Sequence, residues 1–200
     1  MECLVVEVWV EEFPIRIITA YGPQVGDASD RKQKFWDFLE NQVNNAFNSG
    51  AGMIIQMDSN SHLGEEIIEN DVNEQNVNGK MFADFLDRNP QLSLINSLPV
   101  CEGKITRMRT TTRGVEKSIL DVFVTCDRIL PYILKMNIDE KREYVLTNYN
   151  AVKSKGRVIE SDHNVCELEM NLLFCPLKQD RIEIFEFKNQ ESQKLFKDLT

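Results

Sequence analysis

Residues 53–64, Met-Ile-Ile-Gln-Met-Asp-Ser-Asn-Ser-His-Leu-Gly, constrain this chain more than any other stretch. A largely apolar run passes straight into a polar turn. That is how a buried strand delivers side chains to the rim of an α/β core. Asp58 and Asn60 leave the strand end two residues apart. A carboxylate and an amide so placed can face one cleft, the first accepting protons, the second donating and accepting hydrogen bonds. An isolated Asp-x-Asn is more often a plain Asx turn, so what converges on this one decides its meaning.

Upstream, Leu4–Val10 and Ile15–Tyr21 are β-branched strand candidates joined through Glu11-Glu12-Phe13-Pro14, which predicts an antiparallel hairpin. The second strand ends at Tyr21-Gly22-Pro23. Residues 29–47 predict an amphipathic helix, with Ser29 or Asp30 as cap and Phe35, Trp36, Phe38, Leu39, Val43 and Phe47 at helical spacing as core. Asn48-Ser49-Gly50-Ala51-Gly52 stops it.

Downstream, residues 64–79 read as a polar loop, and Asn78-Gly79-Lys80 opens a short helix with Met81, Phe82, Phe85 and Leu86 inward. Leu92–Ile95 reads as a strand. Residues 101–117 carry Lys104, Arg107, Arg109, Arg113 and Lys117 around three threonines and Gly114. They read as a β-hairpin with a basic face, or equally as a solvated loop. Ser118–Thr125 is a buried strand with Asp121 in its midst. A carboxylate there must be paired, hydrogen-bonded or functional. Tyr144–Thr147 and Val165–Leu168 complete the strands, the latter preceded by Ser161-Asp162-His163. Three adjacent side chains cannot form a self-contained triad. Beyond Cys175-Pro176, residues 176–180 read as a linker, Arg181–Lys188 alternates, and Asn189–Leu199 begins a helix.

Two hundred residues fit one domain, and 42% hydrophobic with 28% charged content is that of a soluble globular protein. No apolar run is long enough to span a bilayer. The N-terminus has no basic segment before an apolar one, so an intracellular protein is expected. Five scattered cysteines without a CxxC pair indicate neither a disulfide framework nor a zinc site. A net charge of −9 excludes a general nucleic-acid coat but not an enzyme acting on nucleic acid. With only two histidines a three-histidine metal site is excluded.

A strand ending in Tyr21, the Asp58-x-Asn60 turn, a strand bearing Asp121 and then Ser161-Asp162-His163 follow one another over residues 1–175. That order resembles the endonuclease/exonuclease/phosphatase superfamily. The likeness is closest to the endonuclease domain of LINE-type retrotransposons, through Met57–Gly64, Val77-Asn78-Gly79-Lys80, Ile105-Thr106-Arg107, Glu116–Asp121 and Ser161–Asn164. Ile184–Asn189 looks like the connector to a reverse transcriptase, so residues 1–175 are expected as the nuclease-like domain and 176–200 as the connector.

The resemblance implies an α/β (α+β) fold, a four-layer sandwich of two mainly antiparallel sheets flanked by helices. It implies Mg²⁺- or Mn²⁺-dependent hydrolysis of a phosphodiester, nicking DNA, in the nucleus at the point of action. By resemblance, Asp58 orients or deprotonates the attacking water and Asn60 holds it or the phosphate. Asp121 fixes the tautomer of His163, which contacts the scissile phosphate. Tyr21 donates to a phosphate oxygen and Asp162 helps hold the metal. Lys104, Arg107, Arg109 and Arg113 lie on the DNA backbone. No membrane partner is expected.

Two departures stand out. Met57 occupies the place where the family has Gly, and neither the early Asn turn nor the strand ending in the metal-binding Glu of the family is matched. The first strands are therefore expected to be missing, with weak nicking and a tendency to dimerise. A non-catalytic remnant or DNA-binding module, and a phosphatase of the same superfamily, are the alternatives.

Overall fold

The computed structural model describes residues 2–69, 71–144, 147–149, 158–171 and 182–183. β1 (Glu2–Val10) and β2 (Phe13–Tyr21) form the expected hairpin, in register from Glu2 opposite Tyr21 to Val10 opposite Phe13. Helix α1 (Ser29–Ser49) then carries the chain back, and β3 (Gly52–Asp58) lies parallel to β2. A parallel neighbour requires such a crossover, because the chain must return to the same end of the sheet. Gly50 closes α1 in the left-handed conformation (φ 76°), its N–H donating back to Phe47 O.

The start of α1 differs from expectation. The residue before the helix is Ala28, and neither Ser29 nor Asp30 caps it. Ala28 O already accepts from Arg31 N and Lys32 N, which places Ser29 and Asp30 inside the first turn. There Asp30 pairs with Lys34 at 2.7 Å and complements the helix dipole.

Helix α2 (Val77–Arg88) is capped by Asn76, whose side chain accepts from Gly79 N. It packs on α1 through rings: Trp36 stacks on Phe82 at 5.4 Å and tilts against Phe85 at 5.6 Å. All three are essentially buried. These positions read as core from spacing alone, and core they are.

β4 (Leu92–Leu94) and β8 (Asp121–Cys126) complete the main sheet. Between them come β5 (Cys101–Glu102) and the hairpin of β6 (Arg107–Thr111) and β7 (Gly114–Ser118). The basic stretch is thus a hairpin from Arg107 to Ser118, with Arg113 in its turn and Lys104 in the irregular residues before it. After β8 follow β9 (Ile133–Ile138), β10 (Thr147–Tyr149), β11 (Val158–Glu160), β12 (Cys166–Met170) and β13 (Ile182–Glu183). The main sheet runs β13-β1-β2-β3-β8-β4 and is mainly antiparallel; a second runs β12-β9-β5, with β12 antiparallel and β5 parallel to β9. Buried residues of both sheets and both helices join in one core. The architecture is α/β, as expected. Residues 176–181 and 184–200 lie outside the described residues. Ile182 and Glu183 pair with Val8 and Glu7 of β1.

Candidate active site

Asp58 ends β3, and in the ladders it lies opposite Tyr21 of β2 and opposite Asp121 of β8. Residues directly opposite in a sheet project to the same face. Three positions distant in the chain thus form one row at one end of three adjacent strands. Tyr21 remains 41% exposed there. The turn after Asp58 is an Asx turn in which Asn60 N–H donates to Asp58 Oδ1 at 3.1 Å, and Asn60 sits at φ 49°. Asp-x-Asn is thus locally a plain Asx turn.

The loop after Tyr21 is pressed against this turn. Gly22 N–H donates to Asp58 O at 2.7 Å, and Asn60 Nδ2 donates to Gly22 O at 3.0 Å. A Cβ on Gly22 would meet Ser59 O at 2.5 Å, so glycine is required by the close approach.

His163 comes to the row through the β6 hairpin. Arg107 bridges to His163, Met108 N–H donates to Asp162 O, and Asn164 N–H donates to Thr106 O, the last two at 2.7 Å. The His163 Nδ1 lies 2.8 Å from Asp121 Oδ2. Its Nε2 lies 3.9 Å from Asp58 Oδ2 and 4.0 Å from Asp162 Oδ1. With Nδ1 committed to a carboxylate, Nε2 is the ring atom left to face a substrate. An open cavity of about 330 Å³ adjoins the group, lined by Asp58, Asp121 and His163 together with Met57, Phe123 and Val165.

Charge in the site is unevenly held. Burial pushes the Asp58 carboxyl above its usual range and Asp121 opposite adds to this, while the Asn60 N–H, His163 and Arg107 oppose it without cancelling it. His163 is raised above the ordinary imidazole value. The hydrogen bond to Asp121 is the main cause, burial opposes it, and the charges of Asp121, Asp58 and Asp162 add to it. For Asp162, burial alone would raise the carboxyl. The hydrogen bond and charge of Arg107 outweigh burial and hold it below the usual range.

Asp162 and Arg107 are each other's partners. The guanidinium reaches Asp162 Oδ2 with Nε at 2.8 Å and Nη2 at 2.7 Å. Lys104 donates through Nζ to Asn96 O at 2.9 Å. Arg109 and Arg113 are exposed on the hairpin. Of the four cations expected on DNA, two are thus solvent-facing and two have partners inside the chain.

Asp58, Asp121 and His163 each bring a donor atom within 4.8 Å of the others. Two carboxylates held this close, one of them raised mainly by burial, form a set that a hard divalent cation suits. Asp162 is not one of the three.

Two residues without an assigned role from sequence hold the row in place. Thr106 is fully buried, and its Oγ1 accepts from Leu120 N at 2.8 Å and Asp121 N at 2.9 Å. Asn96, also buried, accepts from Phe123 N and donates to Asp121 O, standing in for a strand beside β8. The Ile105-Thr106-Arg107 motif was the one signal for Thr106; a single buried Asn gives none. Thr106→Val is expected to cost about 1–3 kcal/mol in denaturant unfolding, since two buried N–H groups lose their acceptor. Thr106→Ser should restore most of it. A valine variant as stable as the parent would remove Thr106 from this role.

No protein-family model matches the chain, and no curated protein sequence does. Among solved structures it is similar to the endonuclease domain of TRAS1, a telomere-specific non-LTR retrotransposon. Identity is 15% and the TM-score 0.53, over 84% of this chain and 63% of that one. It is also similar to the 3′-5′ exonuclease NExo from Neisseria meningitidis, at 16% identity and TM-score 0.55 over 84% and 65%. A third is the 3′ phosphatase NExo from Neisseria bound to a product DNA hairpin, at 14% identity and TM-score 0.55 over 84% and 65%. The chain spans less than two thirds of the length of each. At identities this low the likeness shows the fold alone, an α/β sandwich shared with these three structures.

Proposed function

We propose that this chain is a metal-dependent phosphodiesterase that nicks DNA, as the endonuclease of a LINE-type retrotransposon. The observation that carries the reading is the row of Tyr21, Asp58 and Asp121 with His163 hydrogen-bonded to Asp121 and its Nε2 facing Asp58. Asp58, a carboxylate with a raised proton affinity, accepts a proton from the attacking water. His163, held cationic by Asp121, donates from Nε2 to a phosphate oxygen and offsets the charge that grows there. The Asn60 amide and the Tyr21 hydroxyl orient the phosphate. Asp58 and Asp121, with Asp162 as a further oxygen donor, would hold a divalent cation, which would supply positive charge to the phosphate. Exposed Arg109 and Arg113 lie along the DNA backbone. Residues 176–200 as a connector to a reverse transcriptase, and action in the nucleus, belong to the same proposal.

The test is supercoiled plasmid with Mg²⁺ or Mn²⁺, where nicked circles should form and EDTA should suppress them. Inositol phosphates should compete poorly. Release of phosphate from those small esters with no nicking would favour the phosphatase reading instead, and no hydrolysis of either would leave the remnant.

A further inference from the structure

The Asn76-Val77-Asn78-Gly79 motif has no part in the reaction as described, yet it reaches the reacting turn. Asn78 is fully buried. Its Nδ2 donates to Pro23 O at 2.5 Å and to Asn60 O at 3.2 Å. Asn76 Nδ2 donates to the same Asn60 O at 3.2 Å. The Asn60 carbonyl thus accepts two side-chain amides from the start of α2. Facing two carbonyls, the inner end of Asn78 must be the nitrogen. Its Oδ1 is then buried with no partner, which is costly. The partners of Asn78 all lie at its donor end, so that end is where its role is to be sought.

That work concerns Asn60. Its φ of 49° is sparsely populated, and its side chain donates to Gly22 O. Together the three asparagines join the loop after Tyr21, the Asp58–Asn60 turn and the first turn of α2. We propose that Asn76 and Asn78 are positioning residues that lock Asn60, and with it the phosphate-facing turn, against the loop that follows Tyr21. The relevance to catalysis rests on the proposed hydrolysis; the lock itself does not.

Asn76→Asp separates this role from plain helix capping, because an aspartate still accepts from Gly79 N but cannot donate to Asn60 O. Asn78→Leu, similar in size, removes the other donor. Hydrogen exchange of the full chain is the first readout. In both variants the amides of residues 58–62 should exchange about tenfold faster, the worth of one hydrogen bond, while those of α1 stay unchanged. On plasmid, kcat should fall with KM unchanged. Unchanged exchange at 58–62 overturns the lock. Faster exchange with unaltered kcat overturns the positioning role while leaving hydrolysis standing. A parent chain that cuts no DNA sinks the proposed reaction, and the exchange measurement still decides the lock.

Discussion

His163→Ala is expected to lower turnover on DNA by about a hundred- to a thousandfold, the usual cost of deleting one preorganised donor to a developing oxyanion. The side chain is partly exposed and lies at the cleft rim, so its removal should leave the fold intact, with the stability lost confined to the contribution of its pairing with Asp121. The pH profile gives a sharper test. His163 titrates above the ordinary imidazole value, so its cationic form is present at low pH and is lost as pH rises through that raised value. Asp58 titrates above the ordinary carboxylate range, so its basic form is lost as pH falls through it. Activity should therefore be bell-shaped, with His163 setting the alkaline limb and Asp58 the acid limb.

The alanine variant should lose the alkaline limb along with most of the rate. Stability follows the same signs. The His163 contribution is full below its unfolded-state value and disappears as pH rises through the folded value. The Asp162–Arg107 contribution is present above the unfolded-state value of Asp162 and disappears as pH falls through its lowered folded value. Undiminished nicking by the alanine variant, with the alkaline limb intact, would end the role given to His163.

Gly79→Ala is expected to be the most damaging glycine-to-alanine change among the described residues. A Cβ there would fall inside the His62 carbonyl, backbone atoms that cannot swing aside, and would also meet Gln75 Cγ at 3.0 Å. Either α2 shifts away from residues 60–63 or the loop does. The cost is about 3 kcal/mol in denaturant unfolding, and the bonds from Asn76 and Asn78 to Asn60 break with it. Gly26→Ala is the control, since nothing lies within 4 Å of a Cβ at that position. Equal stability of the two variants would show that α2 does not rest on residue 62 as described.

Much of this was legible in the chain. Helices α1 and α2 announce themselves by aromatic and aliphatic residues at helical spacing. The strands ending in Tyr21 and Asp58 do so by β-branched runs that stop in turns. The acid expected in the midst of a strand over 118–125 stood out because an unpaired carboxylate is costly there; it instead opens β8, after Ser118 has ended β7, and it is the partner of His163. Other features were not legible, for physical reasons. In β9, Leu134 is exposed and Asn137 half-buried, so no clean alternation marks the strand that centres the second sheet. The pairing of Arg107 with Asp162 spans more than fifty positions. Composition shows the cation on a basic stretch but not which anion it will meet. Asn96 and Asn76 are single polar residues whose value comes from the backbone groups the fold brings to them.

The row formed by Tyr21, Asp58 and Asp121 also determines which changes in chain length this protein can absorb. Strand side chains alternate with a period of two, so one residue inserted or deleted within β3 would send Asp58 to the opposite face of the sheet. Its two neighbours would stay behind. Such a lesion does not weaken the site by degrees; it removes it at a stroke, as would a lesion in β2 or β8. Connections outside these strands can change length without altering that register, whereas the three strands tolerate substitution but not a change of count.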